Sequence, residues 1–134
     1  MVWPVLKILI PDVLDQAFPV VVGLLGECGL KVENPYNFKI TTWSDSGDQE
    51  NIPFGNFLSA VLDGNITNIQ FWSTPEDDVF VSWKDNPQGC IFSIYLNGVD
   101  GVLAATIVSK FAEEMLVKYK QKYGICEALS IIFE

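Results

Sequence analysis

Between residues 67 and 96 three short segments alternate apolar and polar side chains: TNIQFWS (67–73), VFVSWK (79–84) and CIFSIYL (90–96). Alternation with a period of two marks a half-buried strand. The connections, STPEDD and DNPQG, are far shorter than the dozen or so residues a parallel crossover needs. The three strands therefore read as an antiparallel meander. In each strand one set of side chains is apolar: Ile69 and Phe71; Val79, Val81 and Trp83; Cys90, Phe92, Ile94 and Leu96. Such a face needs cover, which the remaining segments must supply.

The clearest cover is a helix from about Gly101 to Tyr123. Leu103, Ile107, Phe111 and Met115 recur every four residues, and Val108, Leu116 and Tyr119 widen the stripe. Asn97-Gly98 turns the chain before it, Asp100 can cap it, and Gly124 ends it. Lys118, Lys120 and Lys122 occupy the last turns, where the helix dipole favours cations. A second helical pattern runs from Asp12 to Cys28, with Val13, Phe18, Val21, Leu24 and Leu25 on one face and Gly29 closing it. Pro19 interrupts that pattern. Because proline lacks an N–H, the spacing favours a helix that starts there, with Pro19 in its first turn. Phe54–Leu62 reads as a short helix with Phe54, Leu58, Val61 and Leu62 inward.

VLKILI (5–10), NFKITTW (37–43) and LSIIF (129–133) read as strands. In the second, Phe38, Ile40 and Thr42 share one face, and Lys39, Thr41 and Trp43 the other. SDSGDQENIP between them and the short helix is a polar loop. The order is β-α-β-α-β-β-β-α-β. It implies one α+β domain over residues 1–134, with a mixed, largely antiparallel sheet, an antiparallel meander and packed helices.

Charge is distributed unevenly. The net charge is −9, and residues 40–109 carry one lysine, Lys84, against nine acids. A field of one sign steers an oppositely charged partner toward it and disfavours nucleic acid and anionic membranes. The longest apolar runs are far shorter than the ~20 residues that span a bilayer. Lys7 lies inside the first apolar run with acids just after it, so no signal peptide is expected and the chain reads as cytoplasmic. Cys28, Cys90 and Cys126 have no paired spacing and are expected to be free, buried thiols.

The residue inventory argues against catalysis. The chain has no histidine and no arginine, hence neither the commonest general base and metal ligand nor the usual clamp for phosphate. No phosphate loop, nucleophile elbow, dinucleotide fingerprint or metalloprotease motif occurs. Asp45-Ser46-Gly47-Asp48-Gln49-Glu50 lacks the ligand spacing of a calcium loop. Glu76, Asp77 and Asp78 are adjacent and would point to alternate sides of an extended segment. Neither a metal nor another cofactor is expected.

The two acidic loops and nearby tryptophans instead form a candidate protein-binding site: Trp43, Asp45, Asp48 and Glu50 from one, Trp72, Glu76, Asp77 and Asp78 from the other. Tryptophan supplies contact area at interfaces, and carboxylates supply steering. If helices covered both sheet faces, Trp43 and Trp72 would be core instead. Trp83 shares a face with Val79 and Val81 and belongs to the core. In size, element order and acidity the whole chain resembles the small immunity proteins of bacterial contact-dependent growth inhibition and related polymorphic toxin systems. That resemblance implies a non-enzymatic, monomeric protein that binds one cognate toxin domain, commonly a nuclease with a basic cleft. A small-molecule-binding or metal-dependent enzymatic domain, a DNA-mimic inhibitor and a structural subunit are the other classes compatible with the chain.

Overall fold

A computed structural model describes residues 2–134. The order is β1 (Pro4–Ile10), α1 (Leu14–Glu27), β2 (Ile40–Trp43), β3 (Gln49–Ile52), α2 (Phe54–Leu62), β4 (Asn68–Trp72), β5 (Asp78–Asn86), β6 (Gly89–Tyr95), α3 (Gly101–Glu114) and β7 (Leu129–Phe133). The α+β class holds, and the element order is as expected apart from one further short strand, β3. Five strands form one sheet in the order β4-β5-β6-β1-β7, with antiparallel pairing throughout; β2 and β3 form a separate hairpin.

The ladder register explains the layering. Val81 pairs with Ile94 and Ile94 with Leu6; Trp83 pairs with Phe92 and Phe92 with Ile8. Residues paired across a ladder share a face, so these apolar sets merge into one surface. With Ile69, Phe71, Val79 and Ile10 they join Phe18, Val21 and Leu25 of α1 and Ile107 and Phe111 of α3 in a single buried cluster. Trp83 packs on this side between Phe18 (ring centroids 5.2 Å) and Phe92 (6.2 Å). The helices thus cover one face, and the other is left to be described with the site.

Helix α1 begins at Leu14, five residues before Pro19, which sits inside it. The expectation that Pro19 lies in the first turn is corrected. Pro19 cannot donate to the carbonyl of Asp15, but both residues are on the solvent side, where water can satisfy that oxygen. Val13 precedes the helix and is exposed rather than inward. The far end follows the pattern read from sequence: Gly29 takes φ 85°, and the Leu30 amide returns to the Leu25 carbonyl at 2.9 Å.

Other expectations change as well. Phe38 takes φ 59° and is exposed, which ends the expected alternation and delays β2 to Ile40. In α2 only Val61 is buried, with Phe57 partly buried against the core, while Phe54, Leu58 and Leu62 are exposed. Cys126 is exposed and Cys28 half-buried; Cys90 alone is buried, and all three are free. Burial pushes the thiols of Cys28 and Cys90 up from their ordinary values.

The last helix is capped as its sequence suggests: Asp100 Oδ1 accepts from the Leu103 amide at 2.8 Å. Asp100→Ala should lower stability by about 1 kcal/mol in chemical denaturation, the usual value of an N-cap. After Glu114 the helix widens into a π turn, Met115–Tyr119, followed by a short 3-10 turn, Lys120–Lys122. Ile107, Phe111, Met115 and Tyr119 stay buried through the change, but Leu116 is exposed and leaves the expected stripe.

Tyr123 then ties this end to the sheet, its hydroxyl donating to the Leu9 carbonyl at 2.7 Å. Burial, with Cys126 and Tyr119 nearby, pushes its phenol up to about 12. The raised value means that the folded state holds the proton more tightly than the unfolded chain, whose tyrosines titrate near about 10. The contribution is therefore complete below pH about 10 and lost as pH climbs toward about 12. Urea midpoints measured across that interval should fall, and Tyr123→Phe should flatten the fall.

Candidate functional site

The face of the sheet turned away from the core cluster carries Gln70, Phe80, Tyr95, Val5 and Ile132 in one row across all five strands. The next row is Asn68, Ser82, Ser93, Lys7 and Ser130. Trp72 and Asp78 pair at the opposite side of the first row. This is a mixed surface of aromatic, hydroxyl and amide groups rather than a second core: Phe80, Tyr95, Ser82, Ser93 and Gln70 are all partly exposed. Only Val5 and Leu9 are buried on it.

One edge of this face is built by the β2–β3 hairpin. The side chain of Asn68 docks it, accepting from the Trp43 amide at 2.8 Å and donating to the Trp43 carbonyl at 2.9 Å. A carboxamide here replaces the peptide group that a further strand would offer. Thr42 adds bonds to the Asn68 carbonyl (2.7 Å) and Oδ1 (2.9 Å). The indole of Trp43, 37 % exposed, donates to Gln70 Oε1 at 2.9 Å. Gln70 Nε2 in turn donates to Asp78 Oδ2 at 2.8 Å. Because an indole N–H only donates and a carboxylate only accepts, the direction of the chain Trp43–Gln70–Asp78 is fixed.

The structure separates the two acidic loops. Asp45 and Asp48 lie in the turn of the β2–β3 hairpin, closed by the Gly47 amide to Ser44 (2.9 Å) and the Ser44 amide to Asp48 (2.9 Å). Glu50 is in β3, so the polar stretch read as a loop is a hairpin. That hairpin docks at Asn68, the first residue of β4, whereas Glu76 and Asp77 follow Trp72, its last. Four steps along the strand separate the two ends, roughly 13 Å at ~3.3 Å per residue. Glu76 and Asp77 point to solvent from a turn that Thr74 Oγ1 organises, accepting from both of their amides (3.2 and 3.0 Å).

Of the six acids, Asp78 alone is joined to Trp43, through Gln70. Trp72 is half-buried opposite Asp78, and its indole N–H is enclosed with no acceptor. Both tryptophans therefore lie on the uncovered face, outside the core cluster. Among the described residues, no three His, Cys, Asp or Glu side chains converge as a metal-binding group would.

Asp78 also borders a recess of about 280 Å³, lined by Trp3, Asp78, Phe80, Tyr95, Asn97 and Gly98. It forms where β1 begins, β5 begins and β6 ends. Trp3 is held there by backbone bonds in both directions with Glu134 (2.7 and 2.9 Å). Phe80 and Tyr95 meet edge to face at 5.6 Å. Gly98 permits the closure: a Cβ there would collide with the Asp78 carbonyl. Trp3, Gln70, Phe80, Tyr95 and Gly98 were not singled out as site residues by the sequence. The alternation of 79–84 and 90–96 did put Phe80 and Tyr95 on the less apolar side, and two such aromatics on neighbouring strands are the available hint.

Fold and site together define a class: a small α+β protein with a one-sided antiparallel sheet whose other face offers aromatics beside unpaired carboxylates. Comparison with protein-family models, characterised proteins and solved structures finds no significant match for this chain. Among the described residues, no helix is long and apolar enough to cross a membrane.

Proposed function

We propose that this chain is an immunity-type inhibitor, which binds a cognate toxin domain with a basic cleft and blocks its activity. One observation carries the reading. Of the nine acids between residues 40 and 109, none forms an ion pair among the described residues; the two ion pairs, Lys118–Glu114 and Lys122–Asp12, draw on acids outside that stretch. Asp45, Asp48, Glu50, Asp63, Glu76, Asp77, Asp85 and Asp100 are exposed. A chain that gained only stability from its acids would gain more by pairing them. Left unpaired, like charges repel one another, and a basic partner relieves that repulsion on binding. The aromatics of the uncovered face supply the apolar contact that steering alone lacks.

In this reading the protein works in the cytoplasm, as a monomer, where an incoming toxin would reach its target. A nuclease cleft that attracts phosphate with lysine and arginine suits the acidic field best, and the inhibitor itself performs no reaction. The test is co-expression with the toxin domains of the host that carry a basic cleft. Growth should be rescued, and purified protein should suppress the toxin's activity at equimolar ratio. Unrescued growth with both proteins soluble would overturn the proposal.

A further inference from the structure

The recess at the end of the uncovered face has the chemistry of a cation site with one carboxylate and an aromatic wall. Asp78 is immobilised through one oxygen: Oδ2 is held by Gln70, itself held by Trp43. Oδ1, beside Gly98, takes no hydrogen bond among the described residues, and no lysine lies within ion-pair distance of Asp78. Phe80, Tyr95 and Trp3 offer ring faces and edges around it. Glu76 and Asp77 precede it directly, so the local potential is negative. Of the lysines of this face, Lys7 and Lys84 share rows with Ser82 or lie beyond it, toward the other end of β5. Lys31, bridged to Trp72 on the far side from Asp78, is exposed and forms no ion pair with Asp78 among the described residues.

We infer that the recess is a guanidinium site, which takes one arginine side chain of the protein partner. This rests on the proposed function for the identity of the partner, not for the chemistry of the site. A planar guanidinium stacks on aromatic faces while its edge donates to a carboxylate; an ammonium is a hydrated point charge that makes poorer use of such walls. An anion would be repelled by Asp78. A neutral apolar group would bury that carboxylate without a partner, which is costly. A metal ion would find one carboxylate where several ligands are needed. The linkage from Trp43 gives the hairpin a part as well: by orienting Gln70 it fixes Asp78, so Trp43 is a positioning residue for the recess.

The experiment uses the isolated full-length protein and N-acetyl-arginine methylamide, followed by amide and indole nuclear magnetic resonance shifts. Saturable shifts are expected at the Gly98 amide and the Trp3 indole. The citrulline analogue, which keeps the shape and lacks the charge, should give none, and the lysine analogue should bind at least about fivefold more weakly. Asp78→Asn, which can still accept from Gln70, should weaken arginine binding at least tenfold with the rest of the spectrum unchanged. Tyr95→Leu should weaken it with the carboxylate intact. Equal binding of citrulline or lysine, undiminished binding to Asp78→Asn, or shifts confined to the Asp45–Asp48 and Glu76–Asp77 turns would each overturn the site. Arginine binding by a protein that neutralises no toxin would remove the proposed function and leave the recess; neutralisation without arginine binding would do the reverse.

Discussion

Phe18→Ala should destabilise the protein by about 3–5 kcal/mol, the usual cost of emptying a buried aromatic site. Its side chain is 1 % exposed and joins three elements. It comes from α1, meets Trp83 of β5 edge-on at 5.2 Å, and meets Phe57 of α2 at 6.5 Å. Few neighbours can close the gap, because Trp83 is already wedged against Phe92. Small domains are stable by about 5–15 kcal/mol, so this one substitution removes a large share of the margin. Denaturant titration checks it: the midpoint should fall sharply with little change in slope. A shift below about 1 kcal/mol would mean that α1 contributes little to the core.

The second large effect concerns association. Changing Asp45, Asp48, Glu76 and Asp77 to lysine moves the net charge from −9 to −1, two units at each position. All four are exposed, and none contributes its carboxylate to an ion pair, so the fold should tolerate the change. Association with a basic toxin domain should slow by roughly 10–10³-fold at low salt, and its salt dependence should flatten. Dissociation should change far less, because exposed rim charges act mainly on encounter. Asp78 is the contrasting position. It is part-buried and held by Gln70, so Asp78→Asn should speed dissociation and leave association nearly unchanged. Stopped-flow measurements at several salt concentrations separate the two. Equal effects of both variants on both rates would show that the acids do not divide into steering and anchoring sets.

Much of this fold was legible because its strongest elements have strong periods. The meander alternates over three successive segments, and α3 repeats every four residues with an aspartate at its cap. Failures came where the period was weak or the chain was ambiguous about its neighbours. Gln49–Ile52 has three exposed side chains and pairs only within a hairpin, so nothing in QENI announces a strand. Helix α2 has apolar residues on several sides, and periodicity alone cannot say which of Phe54, Phe57, Leu58 and Val61 meets the core. Pro19 is tolerated inside α1 where it and Asp15 lie on the exposed side of the helix, a condition set by packing rather than by the local sequence.

The site was half legible for a similar reason. Acid composition could be read directly; alternation put Trp43 and Trp72 on the more polar strand faces, but whether helices covered those faces was not in the local sequence. That Asp78 departs from Glu76 and Asp77 follows from strand alternation once β5 is seen to begin at Asp78. That it meets Gly98 and the residues around Trp3 requires the register of three strands and the pairing of Trp3 with Glu134, which no local pattern encodes.

Whether the unpaired acidic field meets one basic protein, as proposed, can be tested in the cell. The most direct measurement is capture of partners by the tagged chain from its own host with toxin effectors expressed, followed by assay of the captured domain's activity before and after the complex is denatured. One basic toxin domain is expected, retained in high salt and inactive until released. Capture of no basic domain, or of one that remains fully active while bound, would contradict the proposal.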